Sequence, residues 1–173
     1  MFGLIVDLVR TRNIFLRDIM TSGHEIAMGL RAAYLLMHRQ TNSFLAPFGM
    51  TADQFVLLSL LADEDGITQK ELTQRASSDP NTIRAMLVRM ENNGLVTRDQ
   101  HPTDGRARKV TLTRKGRQTY AMLSEKIKPL QDALLVPFQI KDADKLIMFL
   151  NIITEAMMQW ERGRQTMKVK QMI

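Results

Sequence analysis

The chain has 173 residues, 45% of them apolar, with a mean hydropathy of −0.17, which suits one globular domain with appended helices and argues against a disordered class. No run approaches the ~18–20 apolar residues of a membrane span, and the absence of cysteine excludes disulfides, thiolate metal sites and thiol redox control, making a reducing, cytoplasmic location the default expectation. Net charge is +6, and the stretch from Gly66 to Arg117, with 11 Lys and Arg against 5 Asp and Glu, carries all of that excess.

Residues 1–20 are moderately amphipathic, with Leu4, Leu8, Phe15 and Ile19 to one side, and read as an extra helix packed on a partner subunit. The opening apolar stretch is a poor signal peptide, because Asp7 interrupts it and no basic segment precedes it. Residues 22–48 are expected to form one long helix: Ile26, Leu30, Tyr34, Met37, Thr41, Phe44 and Phe48 recur at helical steps, and Pro47 and Gly49 close it. A second helix begins at the N-cap Thr51, turns Phe55, Leu58, Leu61 and Ala62 inward, and ends by Gly66. The acidic run at 63–65 is read as a solvated helix end.

Two short helices with a tight join follow. The first is capped by Thr68 and buries Leu72 and Ala76. The second opens on Asp79-Pro80, an acidic N-cap followed by proline at the first helical position, buries Ile83, Met86, Leu87 and Met90, and stops at Asn93-Gly94. Its opposite face, Asn81, Thr82, Arg84, Ala85, Val88 and Arg89, is small or hydrogen-bonding, as in a helix-turn-helix. Leu95–Arg98 and Arg108–Thr113 read as the two strands of a hairpin, with Asp104-Gly105 supplying positive φ angles at the tip and His101-Pro102 in the loop. Thr113 caps a further helix, interrupted around Pro129, and a last helix spans about residues 142–164, with Leu146, Leu150, Ile153, Met157 and Trp160 on one face.

Catalysis is not expected. His24 and His38 are 14 residues apart, about 21 Å along one helix, and so cannot share a metal. No phosphate-cradling glycine loop, metalloprotease helix or nucleophile elbow is present, and no cofactor or metal is called for. A basic segment between neutral arms is instead the electrostatic footprint of a nucleic-acid-binding module.

The stretch "GLVTRDQHPTDGRARKVTLTRKG" resembles the wing of the MarR (multiple antibiotic resistance regulator) family of winged helix-turn-helix transcription factors. The matching residues are Gly94-Leu95-Val96, Arg98, Asp104, Arg106, Val110, Leu112, Thr113 and Gly116, and the preceding helix is similar to that family's recognition helix. The resemblance implies a mainly α fold with a small β wing (α+β). It divides the chain into an N-terminal helical dimerisation arm (1–50), a winged helix-turn-helix lobe (51–117) and a C-terminal helical dimerisation region (118–173). It also implies a homodimer on double-stranded DNA at a near-palindromic operator, acting as a repressor relieved by a small-molecule effector. No membrane partner is expected.

Asn81, Thr82 and Arg84 are the expected base readers. Gln69, Ser78, Arg89, Arg98 and Lys109 are expected to hold phosphates, with Arg108 also on the DNA face. By the resemblance Arg106 enters the minor groove and Asp104 orients it; on their chemistry alone they also read as a solvated arginine and a turn-former. The 13 methionines fit either an adaptable ligand pocket or ordinary core filling. The resemblance implies an effector cleft between the long first helix and the lobe, with Tyr34, Met37 and His38 as its candidate lining. The rival function is a winged helix that docks protein. Steep weakening by salt discriminates DNA from that alternative.

Overall fold

In the computed structural model the described residues are 22–100, 104, 105 and 107–170, with side chains described for all of these except 140 and 165–170. The proposed helix within residues 1–20 therefore lies outside the described residues. The chain divides into two compact units, a larger one ending at Pro129 and a smaller one that includes residues 130–170.

In the larger unit, helix α1 (Gly23–Leu45) starts at Ser22, whose hydroxyl accepts from Glu25 N at 3.2 Å while Glu25 returns a bond to Ser22 N at 2.8 Å. It runs into a single 3-10 turn, Ala46–Phe48, and stops at Gly49 with φ 66°. Its expected apolar face is largely uncovered. Ile26, Tyr34, Met37 and Phe48 are exposed, and the fully buried residue of the helix is Leu45, which lies off that stripe.

Helix α2 (Ala52–Asp63) is capped by Thr51, which exchanges bonds with Gln54 at 3.2 and 3.1 Å. Phe55, Leu58 and Leu61 face inward as expected, joined by Ala52 and Leu57. Ala62 does not: it is exposed, because the buried face centres on Leu57, Leu58 and Leu61 and turns the last residues of the helix to solvent. Nor is the acidic run merely a solvated end. Asp65, a quarter exposed, accepts from Gly66 N at 3.0 Å and from Leu112 N at 2.8 Å, and pairs with Arg117.

Helix α3 (Gln69–Arg75) and helix α4 (Pro80–Asn92) start at their expected caps, Thr68 and Asp79. Leu72 is buried and Ala76 half-buried at the end of α3. Between the helices Ser77 takes a left-handed φ of 48°, a region that costs a non-glycine residue about 1–2 kcal/mol. Gly94, at φ 67°, ends α4 as expected.

Strands β1 (Val96–Gln100) and β2 (Arg108–Leu112) pair antiparallel, with Val96 opposite Leu112 and Gln100 opposite Arg108. The pairing extends two residues beyond Arg98, while Thr113 leaves the strand to cap the next helix. Gly105 does not take a positive φ. Residues 101–107 span the reversal, long enough to avoid a two-residue turn, and Ala107 N donates to the Asp104 carbonyl at 3.0 Å. The sheet has a third partner at its base: Val110 N donates to Ile67 O at 2.9 Å, and Thr68 bridges to Lys109.

Helix α5 (Arg114–Asp132) is capped by Thr113, whose hydroxyl accepts from Gly116 N at 2.9 Å and donates to Gly94 O at 2.6 Å. Pro129 does not interrupt it. Lying three residues from the end, it forfeits one intrahelical bond and the helix finishes its last turn. Tyr120 packs against Phe55, with ring centroids 5.8 Å apart, and so joins α5 to α2. The core of this unit is Leu57, Leu58, Leu61, Leu72, Ile83, Leu87, Met90, Val110 and Leu123, each burial contributing about 1.5–3 kcal/mol.

In the smaller unit, helix α6 (Ile140–Lys170) is longer at both ends than the expected 142–164. Leu146, Leu150, Met157 and Trp160 are exposed and Ile153 half-buried. No single helix among the described residues is long and apolar enough to cross a membrane. The molecule is a mostly helical winged helix-turn-helix with a two-stranded wing.

Candidate nucleic-acid interface

The amphipathic split of α4 decides what the lobe shows to solvent. Ile83, Leu87 and Met90 are fully buried, and this turns Asn81, Thr82, Arg84, Ala85, Val88 and Arg89 outward, all of them exposed. Asp79 anchors the start of the helix, its Oδ1 accepting from Asn81 N at 3.0 Å and Thr82 N at 2.9 Å. Hydrogen bonds from the Thr82 side chain and then its amide hold the Asp79 carboxyl below the ordinary aspartate range.

A cleft of about 1000 Å³ opens between α3, α4 and the wing. Gln69, Arg84, Arg98, Asp104 and Arg108 meet in its wall, so five of the expected DNA-binding residues share one concavity. Lys109 is half-buried beside it, its stem lying so close over Gly66 that a side chain there would strike Lys109 Cε. Ser78 is half-buried in the turn between α3 and α4. Arg106 lies outside the described residues.

The charges around the cleft are not equivalent. Arg98 is committed to Glu91: its Nε and Nη2 donate to Glu91 Oε2 at 3.0 and 2.6 Å, and its backbone N donates to Glu91 Oε1 at 3.2 Å. Arg75 is likewise occupied, its protonated form favoured by side-chain hydrogen bonds to Glu64 and then Glu71. Among the described residues, no ion pair engages Lys70, Arg84, Arg89, Arg108 or Lys109, which leaves these five cations for an anionic ligand. The sequence reading missed Lys70 and Gln74 in the cleft wall, although they stand one helical turn apart on α3. It also missed the pairing of Glu91 with Arg98, which crosses the Gly94 stop.

A second hollow, of about 210 Å³, lies between α1, α2 and the start of α4. Of the expected effector residues Tyr34 lines it; Met37 and His38 do not. His38 stands behind the wall, its Nε2 3.2 Å from Asp53 Oδ1 and its Nδ1 3.1 Å from Asn42 Nδ2. Among the described residues no group of three or more His, Cys, Asp or Glu comes together as a metal site would require.

Comparison with known proteins gives this geometry its relatives. The sequence model of the MarR family matches residues 50–107, which run from the start of α2 into the wing. The transcriptional regulator HosA of Escherichia coli is 42% identical over 72 residues, covering 42% of this chain and 53% of HosA. The HTH-type transcriptional repressor Mb2911 of Mycobacterium bovis is 32% identical over 82 residues, covering 47% of this chain and 59% of the repressor. The chain thus spans little more than half the length of these curated relatives. A crystal structure of a mutant MarR from Escherichia coli complexed with operator DNA superposes with a TM-score of 0.69 at 25% identity, covering 74% of this chain and 92% of that one. The matched segment is the one that builds the helix-turn-helix and wing, and over residues 50–107 the chain is similar in sequence to the MarR family and in fold to a MarR structure bound to operator DNA.

Proposed function

We propose that the protein is a sequence-specific, double-stranded DNA-binding transcription regulator that acts as a homodimer, represses by occluding its operator, and is released by a small-molecule effector. The observation that carries this reading is the convergence of Arg84, from the outward face of α4, with the uncommitted cations Lys70 of α3 and Arg108 of the wing on one cleft. A surface of this charge and shape suits a duplex backbone, with α4 delivered into the major groove.

Within it, Asn81, Thr82 and Arg84 read base edges, while Gln69, Lys70, Arg89, Arg108 and Lys109 hold phosphates. Arg106 is assigned to the minor groove. Arg98 changes role: because Glu91 already neutralises it, its task is to brace the wing against α4. Dimerisation falls to the flanking helical regions, residues 1–50 and 118–173, and the DNA-binding lobe to 51–117. The exposed apolar faces of α1 and α6 support this assignment, since contiguous apolar surface of that kind marks an interaction site. The effector is assigned to the hollow beside Tyr34, which reaches Thr82 at the start of α4.

The test is selection from randomised duplexes, followed by fluorescence anisotropy across a salt series. The expected result is a near-palindrome with half-site centres about 10 base pairs apart and affinity that falls steeply with salt. Arg84→Ala should change the selected sequence, whereas Arg89→Ala should weaken all sequences alike. Salt-insensitive or sequence-indifferent binding would overturn the reading and favour a protein-docking wing.

A further inference from the structure

We propose that the hollow between α1, α2 and the turn preceding α4 binds a small organic cation, an amine carried on a single apolar ring, and that this is the chemical class of the effector. The release of DNA rests on the regulator reading above; the binding itself does not.

The wall of the hollow fixes the sign of its ligand. Tyr34, Val56, Ser78, Thr82 and Met86 supply ring, hydroxyl and aliphatic surface, and Asp53 supplies a carboxylate. Among the described residues Asp53 is the one charged side chain in that wall, and no lysine or arginine lines it. Its charge is not cancelled from behind. Ala52 N donates to Asn42 Oδ1 at 2.8 Å, which orients the Asn42 amide so that its Nδ2 points at His38 Nδ1, 3.1 Å away. An amide nitrogen only donates, so His38 Nδ1 accepts, and the ring hydrogen sits on Nε2, facing Asp53 Oδ1 at 3.2 Å. This relay fixes which ring nitrogen of His38 faces Asp53 and engages one of its carboxylate oxygens.

An ammonium in this hollow finds Asp53 as counter-charge, the half-exposed ring of Tyr34 as a cation–π partner, and hydroxyls at Ser77, Ser78 and Thr82 for its remaining hydrogens. An aromatic carboxylate of the same size would meet Asp53 with no cation beside it. A hollow of about 210 Å³ corresponds to the liquid volume of about seven waters, enough for one ring with a short arm. Its rim includes Ser77, in the left-handed turn, and Thr82, in the first turn of α4. A bound ligand therefore presses on the segment that aims α4.

Isothermal titration calorimetry on the full chain, with benzylamine, benzyl alcohol and benzoate as matched probes near neutral pH, tests the binding. Benzylamine should bind once per chain, and benzoate about tenfold or more weaker. Asp53→Asn should reduce benzylamine to the level of benzyl alcohol, and Val56→Lys, at an exposed position of the wall, should reverse the preference toward benzoate. Benzoate binding as tightly as benzylamine, or unchanged benzylamine affinity in both variants, overturns the proposal. Anisotropy of the wild-type protein on its selected duplex separates the two readings. Failure to bind DNA without ligand sinks the regulator reading alone, whereas bound benzylamine that leaves DNA affinity unchanged overturns its assignment as effector class.

Discussion

Single residues at the junctions of this fold have definite physical reasons. Gly116 opens α5 directly beneath the Leu95 carbonyl, and a Cβ there would overlap that oxygen and crowd Leu112. Gly116→Ala should therefore destabilise the lobe by about 1–3 kcal/mol, the usual cost of overpacking, read as a lower urea midpoint at unchanged slope. Asp79 carries a prediction in pH. Its folded carboxyl titrates below the unfolded value because Thr82 bonds the charged form. Its contribution is thus fully present above the unfolded pKa and is lost as pH falls through the folded one. Asp79→Ala should remove that part of the acid dependence of thermal unfolding, while Asp79→Asn should keep a cap without the titration. Wild-type acid sensitivity in both variants would contradict the assignment.

At the scale of elements, the sequence announced what is locally determined. The caps at Thr51, Thr68, Asp79 and Thr113 and the stop at Gly94 all depend on bonds spanning a few residues, and each lies where the spacing predicts. The wing was legible as alternation, Val110 and Leu112 inward, but its tip was not. A two-residue turn and a seven-residue reversal share the same Asp-Gly signal, and only the strand register separates them. The Glu91–Arg98 pair was hidden for a similar reason, since it joins α4 to β1 across a reversal. That pair yields a prediction. Arg108→Ala should lower the salt slope of DNA binding by about one unit. Arg98→Ala should weaken binding while leaving the slope nearly unchanged, with Glu91→Gln giving a similar loss. A unit drop in slope for Arg98→Ala would return that residue to the phosphate contacts. Arg106→Ala should weaken binding and lower the slope, leaving the selected major-groove sequence unchanged.

For the whole molecule, the helical stripes of α1 and α6 were readable as periodicity, yet what covers them was not, because the described residues leave both stripes largely exposed. Trp160, the only tryptophan, is 67% exposed and reports on this directly. Assembly of two copies through α6 should shift its emission to shorter wavelength as protein concentration rises, in step with the mass measured by sedimentation. Emission that stays constant while the mass doubles would place the dimer contact elsewhere. The lobe, by contrast, buries its own core and needs no partner to explain its packing.

The carboxylate of Asp65 makes one strand belong to two regimes of motion. Its bonds to Leu112 N and Gly66 N, together with the Ile67 carbonyl on Val110 N, rivet the base of β2 to the lobe. Beyond Lys109, among the described residues, the strand pairs with β1 alone. Amide hydrogens should accordingly exchange along a gradient within five residues: Val110 and Leu112 only with global unfolding, Arg108 through local opening. Asp65→Asn should steepen exchange at Leu112 without touching Arg108. Lys109 is then the pivot of β2, the point at which the strand passes from a root locked to the α2–α3 connection to pairing with β1.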